Sequence, residues 1–573
     1  MNSIPAKQNT DISIVLCGQA GQGIQTVETL LTMTCKDAGY NVFATKEYMS
    51  RVRGGMNSTS IRISNKPVKA CVDRIDILVV LNAGAIQHLQ KRIGSETLII
   101  GEKDTCADAP CNEAGLIDIP FTKIASDTGN KIYSNTVALG ALISVASIES
   151  EKAINSLKRF FKGKDEDVTT KNIEAFKQGY EAAGKFEKNK HISIKPDENA
   201  GIASQILVNG AQAVSLGAMA GGCNFISSYP MSPSTGVLTF LAQHGRDFGI
   251  VAEQAEDEIA AINMAIGAWY AGARAMVTTS GGGFALMTES VSLSGMIESP
   301  IVIHLAQRPG PATGLPTRTE QGDLDLALYA GHGEFPRIIF APGTLEDGFY
   351  LTQKAFNLAD KFQVPVFILT DQYFIDSYYN SIPFDIKKTA IEKHFIETPK
   401  DYRRYELAED GISPRGIPDF GAGLVCVDSD EHDENGHITE DMELRNKMVE
   451  KRLKKSDSIK EEIEAPVLNG PENYRNIVVC WGSTFNAVCE AVNGLDRKDT
   501  AVLHFKQVYP LHDKTAELIN KADKKIVVEN NATGQFARLL KTYADVNIDH
   551  NVLKYDGLCF TSDGLRENLN KLL

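Results

Sequence analysis

No stretch of this 573-residue sequence comes near the ~20 consecutive apolar residues that a membrane-spanning helix needs. The opening residues, Met1-Asn2-Ser3-Ile4-Pro5-Ala6-Lys7-Gln8, also lack the apolar core of a secretion signal. A cytoplasmic protein with no membrane partner is therefore expected. Positive charge is in deficit as well. The formal net charge is −14, which argues against nucleic acid or anionic lipid as a main partner. The ten cysteines are scattered and no Cys-x-x-Cys occurs. Their closest pair, Cys106 and Cys111, does not resemble the clustered thiolates that hold an iron–sulfur group. They read as reduced thiols, mostly in cores. His432 and His437, among the acids of residues 428–437, lack the four-residue spacing of a zinc helix. No metal is assigned to the chain.

What is present is the composition of a globular protein, 43% hydrophobic and 23% charged. The length implies several domains, since single cores rarely grow past about 250–300 residues. The most informative segment is 226–290. It opens with Ser227-Ser228-Tyr229-Pro230-Met231-Ser232-Pro233-Ser234-Thr235 and passes Glu253, Glu256 and Glu258. A small, apolar helix then runs past Gly267, and a strand leads into Thr278-Thr279-Ser280-Gly281-Gly282-Gly283. Acids in a first helical turn suit the positive end of the macrodipole. The three glycines suit a tight turn or close approach to a ligand. By themselves the acids fit a solvated helix start equally well.

Residues 11–17 read as a strand, followed by Gly18-Gln19-Ala20-Gly21-Gln22-Gly23 and a helix over 24–38. The glycines fall as G-x-x-G-x-G, not as the G-x-G-x-x-G of dinucleotide binders. A phosphate at the helix N-terminus and a plain tight turn both remain open. Arg51-Val52-Arg53-Gly54-Gly55 offers an anion contact or a loop pinned by its own hydrogen bonds. Residues 156–191 read as an exposed helix and connecting segment, and 203–222 as a helix. Strands are expected near 301–305, 337–341 and 364–370, with a helix over 345–361 between the last two. The proline-bearing loop 306–323 supplies Arg308 and Arg318. Guanidinium binds a planar carboxylate through two parallel hydrogen bonds. Residues 383–464 break the α/β rhythm as a solvated or subunit-facing connector with a charged helix over 440–460.

Glu258, Gly267 and the Thr279–Gly283 glycine run together resemble the pyrimidine-binding domain of thiamine diphosphate enzymes. Tyr229-Pro230-Met231-Ser232-Pro233-Ser234 narrows this. It is similar to the Tyr-Pro-x-Thr-Pro-Ser motif of the 2-oxoacid:ferredoxin oxidoreductase alpha subunit, with Ser232 where Thr is usual. Leu315-Pro316-Thr317-Arg318-Thr319-Glu320-Gln321-Gly322-Asp323-Leu324 resembles the branch that includes 2-oxoglutarate enzymes. The Gly18–Gly23 loop with Arg53-Gly54-Gly55 resembles the gamma domain of the same enzymes, here fused ahead of alpha. The expected fold is α/β throughout. A gamma-type domain over 1–190 precedes a pyrimidine-binding-type domain over 191–385. A charged connector over 386–465 then leads to a transketolase carboxy-terminal-like domain over 466–573.

The resemblance also implies a chemistry. Glu258 would meet the aminopyrimidine ring of the cofactor, with Tyr229, Pro230, Gly281 and Gly282 around it. Arg318, ranked ahead of Arg308, would hold the 2-oxoacid carboxylate with Thr317 and Ser232. Gly18, Gly21, Gly23 and Arg53 would be an anion or CoA site. The Gly-Asp-Gly that binds Mg²⁺ and the diphosphate in this superfamily is absent, since Asp323 follows Gly322 but precedes Leu324. Mg²⁺, the diphosphate half of the site and the iron–sulfur cluster are therefore expected on a separate beta subunit, in a heterotetramer of two alpha and two beta chains. The expected reaction is oxidative decarboxylation of 2-oxoglutarate, with CoA as co-substrate and ferredoxin as electron acceptor. Pyruvate, branched-chain and indolepyruvate oxidoreductases and a non-catalytic scaffold subunit are the alternatives.

Overall fold

The computed structural model describes residues 11–19, 21–50, 55–107, 115–186, 194–195 and 201–573. The chain forms two compact units. The first comprises Met1–Val208, Asp376–Pro383 and Thr561–Gly564, and the rest forms the second. The expected division between residues 190 and 191 lies outside the described residues. Among the described residues no helix is long and apolar enough to cross a membrane.

The first unit is built on an eight-stranded mixed sheet. Asp11–Gln19 lies inside it, parallel to Ile77–Val80 and antiparallel to Met56–Ser64. Its central residues are buried on both faces, which explains the continuous apolar run. Helix Ile24–Asp37 starts at Gly23, which adopts a left-handed conformation (φ 73°). Residues 156–191 are not simply exposed. Helix Glu166–Gly184 buries Phe176 and Gly179 and packs against Ser134–Val145. Gly140 and Gly179 leave no room for a Cβ where the backbones meet, at Phe176 and Val137. The expected helix over 203–222 is shorter, because Ile206–Asn209 is a strand and the helix is Gly210–Ala220. Asn209 and Gln212 cap it reciprocally, which stops helix propagation at that point.

The second unit carries a seven-stranded sheet, a five-stranded sheet and a two-stranded pair. In the larger sheet the order is Gln507–Tyr509, Ile338–Phe340, Pro365–Asp371, Ile301–Gln307, Ala275–Thr279, Phe225–Ser228, Val251–Gln254. All pairings are parallel except that of the Gln507–Tyr509 edge. The chain runs from Phe225–Ser228 outward to Val251–Gln254, then back to Ala275–Thr279 on the other side and on to Ile301–Gln307. That reversal is a topological switch point, and ligands bind outside the carboxyl ends of the strands there. The five-stranded sheet is centred on Asn476–Trp481, between Thr500–Phe505 and Lys524–Glu529.

The charged connector helix is less solvated than its composition implies. Helix Met442–Lys460 buries Lys451, Arg452 and Lys455. Lys451 Nζ and Lys455 Nζ lie 2.6 and 2.5 Å from the two carboxylate oxygens of buried Glu298. Arg452 pairs with Glu431. His432 packs against Tyr405 at 3.8 Å between ring centroids with the rings tilted by 32°, and its Nδ1 lies 2.9 Å from the Asp430 carbonyl.

Candidate active site

The strand-end segments around the switch point bring together residues far apart in sequence. After Phe225–Ser228 the chain turns through Tyr229, Pro230 and Ser232. Ser227 and Ser228 are sealed in the sheet, donating to the carbonyls of Ala261 and Thr278. Tyr229 is 42% exposed. After Val251–Gln254, Asp257 caps helix Glu258–Tyr270 by accepting from Ala260 N at 2.7 Å. Glu253 and Glu256 face solvent, whereas Glu258 is only 5% exposed.

The three glycines are not a turn. They form the first turn of helix Gly281–Met296, and their lack of Cβ has specific causes. At Gly283 a Cβ would fall 2.6 Å from Glu258 Oε1. At Gly281 it would collide with both carboxylate oxygens of Asp323. Gly282 faces the Ala312 carbonyl at 3.5 Å on the same basis. Ser280, the residue ahead of this helix, makes no side-chain cap, and its buried Oγ has no partner among the described residues.

Arg308 follows the end of Ile301–Gln307 and donates from Nη1 to the Ser232 carbonyl at 2.7 Å. Its Nε is sealed from solvent and unpartnered among the described residues. Burial lowers its pKa, and the Asp323 charge opposes that shift. Gln307 accepts from Asp323 N at 2.9 Å, tying Asp323 to the same strand end. Asp323 Oδ2 is also buried and unpartnered. Burial and then Glu320 push the Asp323 carboxyl up to about 7, while Arg308 pulls it down.

Arg318 lies elsewhere on the loop, its stem against Gly557. Thr317 is buried, and Thr319 donates from its backbone to the Gly557 carbonyl. The loop is clamped from the carboxy-terminal sheet. Gln321 donates to the Trp481 carbonyl at 2.9 Å and accepts from Asn530 N at 2.9 Å, and Asn531 donates to the Gln321 carbonyl at 3.2 Å.

The structure thus joins Ser232 to Arg308 directly, and Glu258 and Asp323 to the same helix turn at Gly283 and Gly281, and it places Arg318 against Gly557. Asp323 and Ser280, which the sequence reading does not single out as site residues, stand at or beside the same helix turn. Asp323 stood out in the sequence only for lacking a following glycine, and nothing local marks Ser280 as uncapped. In the first unit, Gly21 and Gly23 line a cavity of about 660 Å³ with Asn135, Phe160 and Phe161. Gly18 lies in the preceding strand, its Cα beside Gln22 and Leu81. Arg53 lies outside the described residues.

A buried acid with no hydrogen bond of its own among the described residues, at a parallel-sheet switch point beside an uncapped helix N-terminus, suits the aminopyrimidine half of thiamine diphosphate. The fold is that of a thiamine diphosphate-dependent oxidoreductase. Residues 216–451 match the family described as pyruvate flavodoxin/ferredoxin oxidoreductase, thiamine diphosphate-binding, and residues 13–182 match pyruvate ferredoxin/flavodoxin oxidoreductase. The 2-oxoacid:ferredoxin oxidoreductase subunit alpha of Sulfolobus sp. is 32% identical, over 98% of this chain and 97% of that protein. The 2-oxoglutarate synthase subunit KorA of Archaeoglobus fulgidus is 33% identical, over 57% of this chain and 88% of that protein. The structure of the Magnetococcus marinus 2-oxoglutarate:ferredoxin oxidoreductase, with 2-oxoglutarate, coenzyme A and succinyl-CoA bound, superposes with a TM-score of 0.91. It is 29% identical and covers 98% of this chain and 99% of its own. The chain belongs to the 2-oxoacid:ferredoxin oxidoreductase alpha-subunit family.

Proposed function

We propose that the chain is the gamma-fused alpha subunit of a 2-oxoglutarate:ferredoxin oxidoreductase and is active only with a beta subunit. The reading rests on one observation above others. Arg308 is held against the Ser232 carbonyl at the strand-end crevice, with its Nε unspent. A guanidinium fixed by one nitrogen and free at another is ready for a substrate carboxylate. Arg308 is therefore assigned that contact ahead of Arg318. Glu258 holds or exchanges a proton at the pyrimidine ring. Thiamine diphosphate, once bound, supplies the electron sink for decarboxylation. Tyr229, Pro230, Gly281 and Gly282 shape the wall around it, and the Ser232 hydroxyl and Thr317 orient the 2-oxoacid. The choice of 2-oxoglutarate is supported by the names of the relatives and of the structural neighbour.

The beta subunit would carry Mg²⁺, the diphosphate half of the site and an iron–sulfur cluster. The absence of Gly-Asp-Gly and of clustered cysteines from the sequence supports that division. So does the outer face of helix Glu258–Tyr270, where Ile259 (49%) and Met264 (42%) are exposed and Gly267 looks onto open space. Exposed apolar groups beside a site mark a protein interface. CoA is placed in the first unit's cavity at Gly21 and Gly23, whose volume is that of a cofactor site. Under this reading the domains are gamma-type over 1–190, pyrimidine-binding over 191–385, connector over 386–465 and transketolase-like over 466–573.

The test is turnover. Purified alone, the chain should be colourless and inactive. Assembled with beta, it should reduce ferredoxin fastest with 2-oxoglutarate in a panel including pyruvate, a branched-chain 2-oxoacid and indolepyruvate, and only with CoA present. Stoichiometric iron in the isolated chain would overturn the division between subunits. Preference for another acid would overturn the substrate, and no turnover with any acid would favour the scaffold reading.

A further inference from the structure

The carboxyl of Asp323 is unusual within its surroundings. It accepts no hydrogen bond among the described residues, although its Oδ2 is sealed from solvent. Its backbone N–H is committed to Gln307, which holds the backbone at this residue against the end of strand Ile301–Gln307. Helix Leu324–Leu328 begins at Asp323, but the carboxyl does not cap it. The carboxyl lies instead against the Cα of Gly281, at the first turn of helix Gly281–Met296. Arg308 is near enough for the two charges to act on each other. The pair forms no ion contact among those within 4 Å, and each keeps a buried polar atom unpartnered. A structural ion pair would have closed that gap, because an unmade buried hydrogen bond costs more than a made one returns.

We propose that Asp323 is a substrate-binding residue, its protonated carboxyl donating a hydrogen bond to a carboxylate oxygen of the 2-oxoacid while Arg308 binds the same carboxylate. The idea rests on the reading that this crevice takes a 2-oxoacid. A neutral acid can donate to a carboxylate, whereas an ionised one repels it. The groups acting on Asp323 decide which form is present. Burial favours the neutral form, Glu320 on the same loop adds to this, and Arg308 opposes it, leaving the carboxyl at about 7. Glu258 borders the same helix turn through Gly283, and Asp325, two residues on, is paired with Arg538. Proton exchange at Asp323 thereby couples substrate affinity to pH near neutrality. Nothing is consumed, since the proton stays on Asp323 and leaves only when the site empties or the pH rises.

The experiment follows KM for 2-oxoglutarate in the assembled enzyme between pH 6 and 8.5. In the wild type KM should rise by about tenfold per pH unit above the carboxyl's titration, as the donor is lost. Asp323→Asn keeps a donor that does not titrate, so its KM should be flat across this range. Glu320→Gln removes the neighbour that favours protonation, so the rise in KM should begin at lower pH. A second readout needs no turnover. A carboxyl whose folded-state pKa is raised stabilises least above that value. The melting temperature of Asp323→Asn relative to wild type should therefore rise from pH 5 to pH 8 in the full chain, because the wild type loses stability from the unfolded value of 3.8 up to about 7. If Asp323→Asn keeps the wild-type rise of KM with pH, or if its melting temperature differs equally at both pH values, Asp323 is a structural carboxyl and the proposal fails. Failure of the parent reading looks different: Arg308→Ala would then leave KM unchanged at every pH.

Discussion

Glu258 and Glu529 are both buried acids at the carboxyl end of a parallel-sheet layer, yet they are treated in opposite ways. Glu529 Oε2 accepts from Phe536 N at 2.8 Å, Asn531 Nδ2 at 2.9 Å and Trp481 Nε1 at 3.3 Å, and its Oε1 accepts from Ala537 N at 3.0 Å. It ties strand Lys524–Glu529 to the start of helix Gln535–Ala544 and leaves nothing over. Around Glu258 the chain leaves Ser280 Oγ, Arg308 Nε and Asp323 Oδ2 without partners among the described residues. Burial without satisfaction is costly. Under the proposed function, a ligand would supply the missing partners at these neighbouring atoms. Glu298, matched by Lys451 and Lys455, belongs with Glu529 on the structural side of the comparison.

The comparison breaks if an unsatisfied acid proves structural or a satisfied one proves functional. Glu258→Gln should carry the largest effect. It keeps the shape but cannot exchange a proton, so turnover of the assembled enzyme should fall by about 10²–10⁴ or more. The urea midpoint of the chain should stay near wild type, and Glu256→Gln should be silent in both assays. A Glu258→Gln variant with wild-type turnover would remove Glu258 from the site.

Glu298→Gln should reverse that pattern. It strands two lysines in the core, a loss of roughly 3–5 kcal/mol, read as a lower urea midpoint. Burial works against ionisation of Glu298, but Lys455, Lys451 and Arg404 outweigh it and hold the group well below the usual carboxylate range. A depressed folded-state pKa contributes stability above the unfolded value, near 4.5, and loses it as pH falls further. Wild-type stability should therefore drop steeply below about pH 4.5, and the Gln variant should lack that part of the slope. Equal acid sensitivity in the two proteins would refute the assignment.

Arg308→Ala sharpens the comparison inside the site. Loss of one charge-assisted contact costs roughly 1.5–3 kcal/mol, expressed mainly in KM for the 2-oxoacid. Arg318→Ala, against Gly557, should change KM less, and the opposite order would restore Arg318 as the carboxylate contact. The smallest effect is expected from Ser232→Thr, which keeps the hydroxyl at an exposed position. It should shift kcat/KM by no more than about 0.5 kcal/mol, with Ser232→Ala as the damaging counterpart.

The α/β class and the family were legible from local patterns. The runs Ile301–Gln307 and Pro365–Asp371 read as strands because both faces of a parallel strand are buried, and they are buried throughout. Strand Ile206–Asn209 was not legible, because Ala203 to Gly222 is small and apolar enough to suit a helix and only the Asn209 cap marks the break. The connector helix misled in the other direction. Its lysines look solvated until Glu298, 153 positions away from Lys451, meets them.

By itself the sequence determined which segments are strands and helices, where several caps fall, and that Glu258 and three glycines stand near strand ends. Those properties depend on spacing of two to four residues, which is local. Only the tertiary structure decided that Arg308 reaches Ser232 across 76 positions, that Gly281 faces Asp323, and that Gly283 faces Glu258. It also decided which polar atoms stay unpartnered. A side chain's satisfaction depends on every element packed around it, and that arrangement exists only once the sheet has ordered its strands.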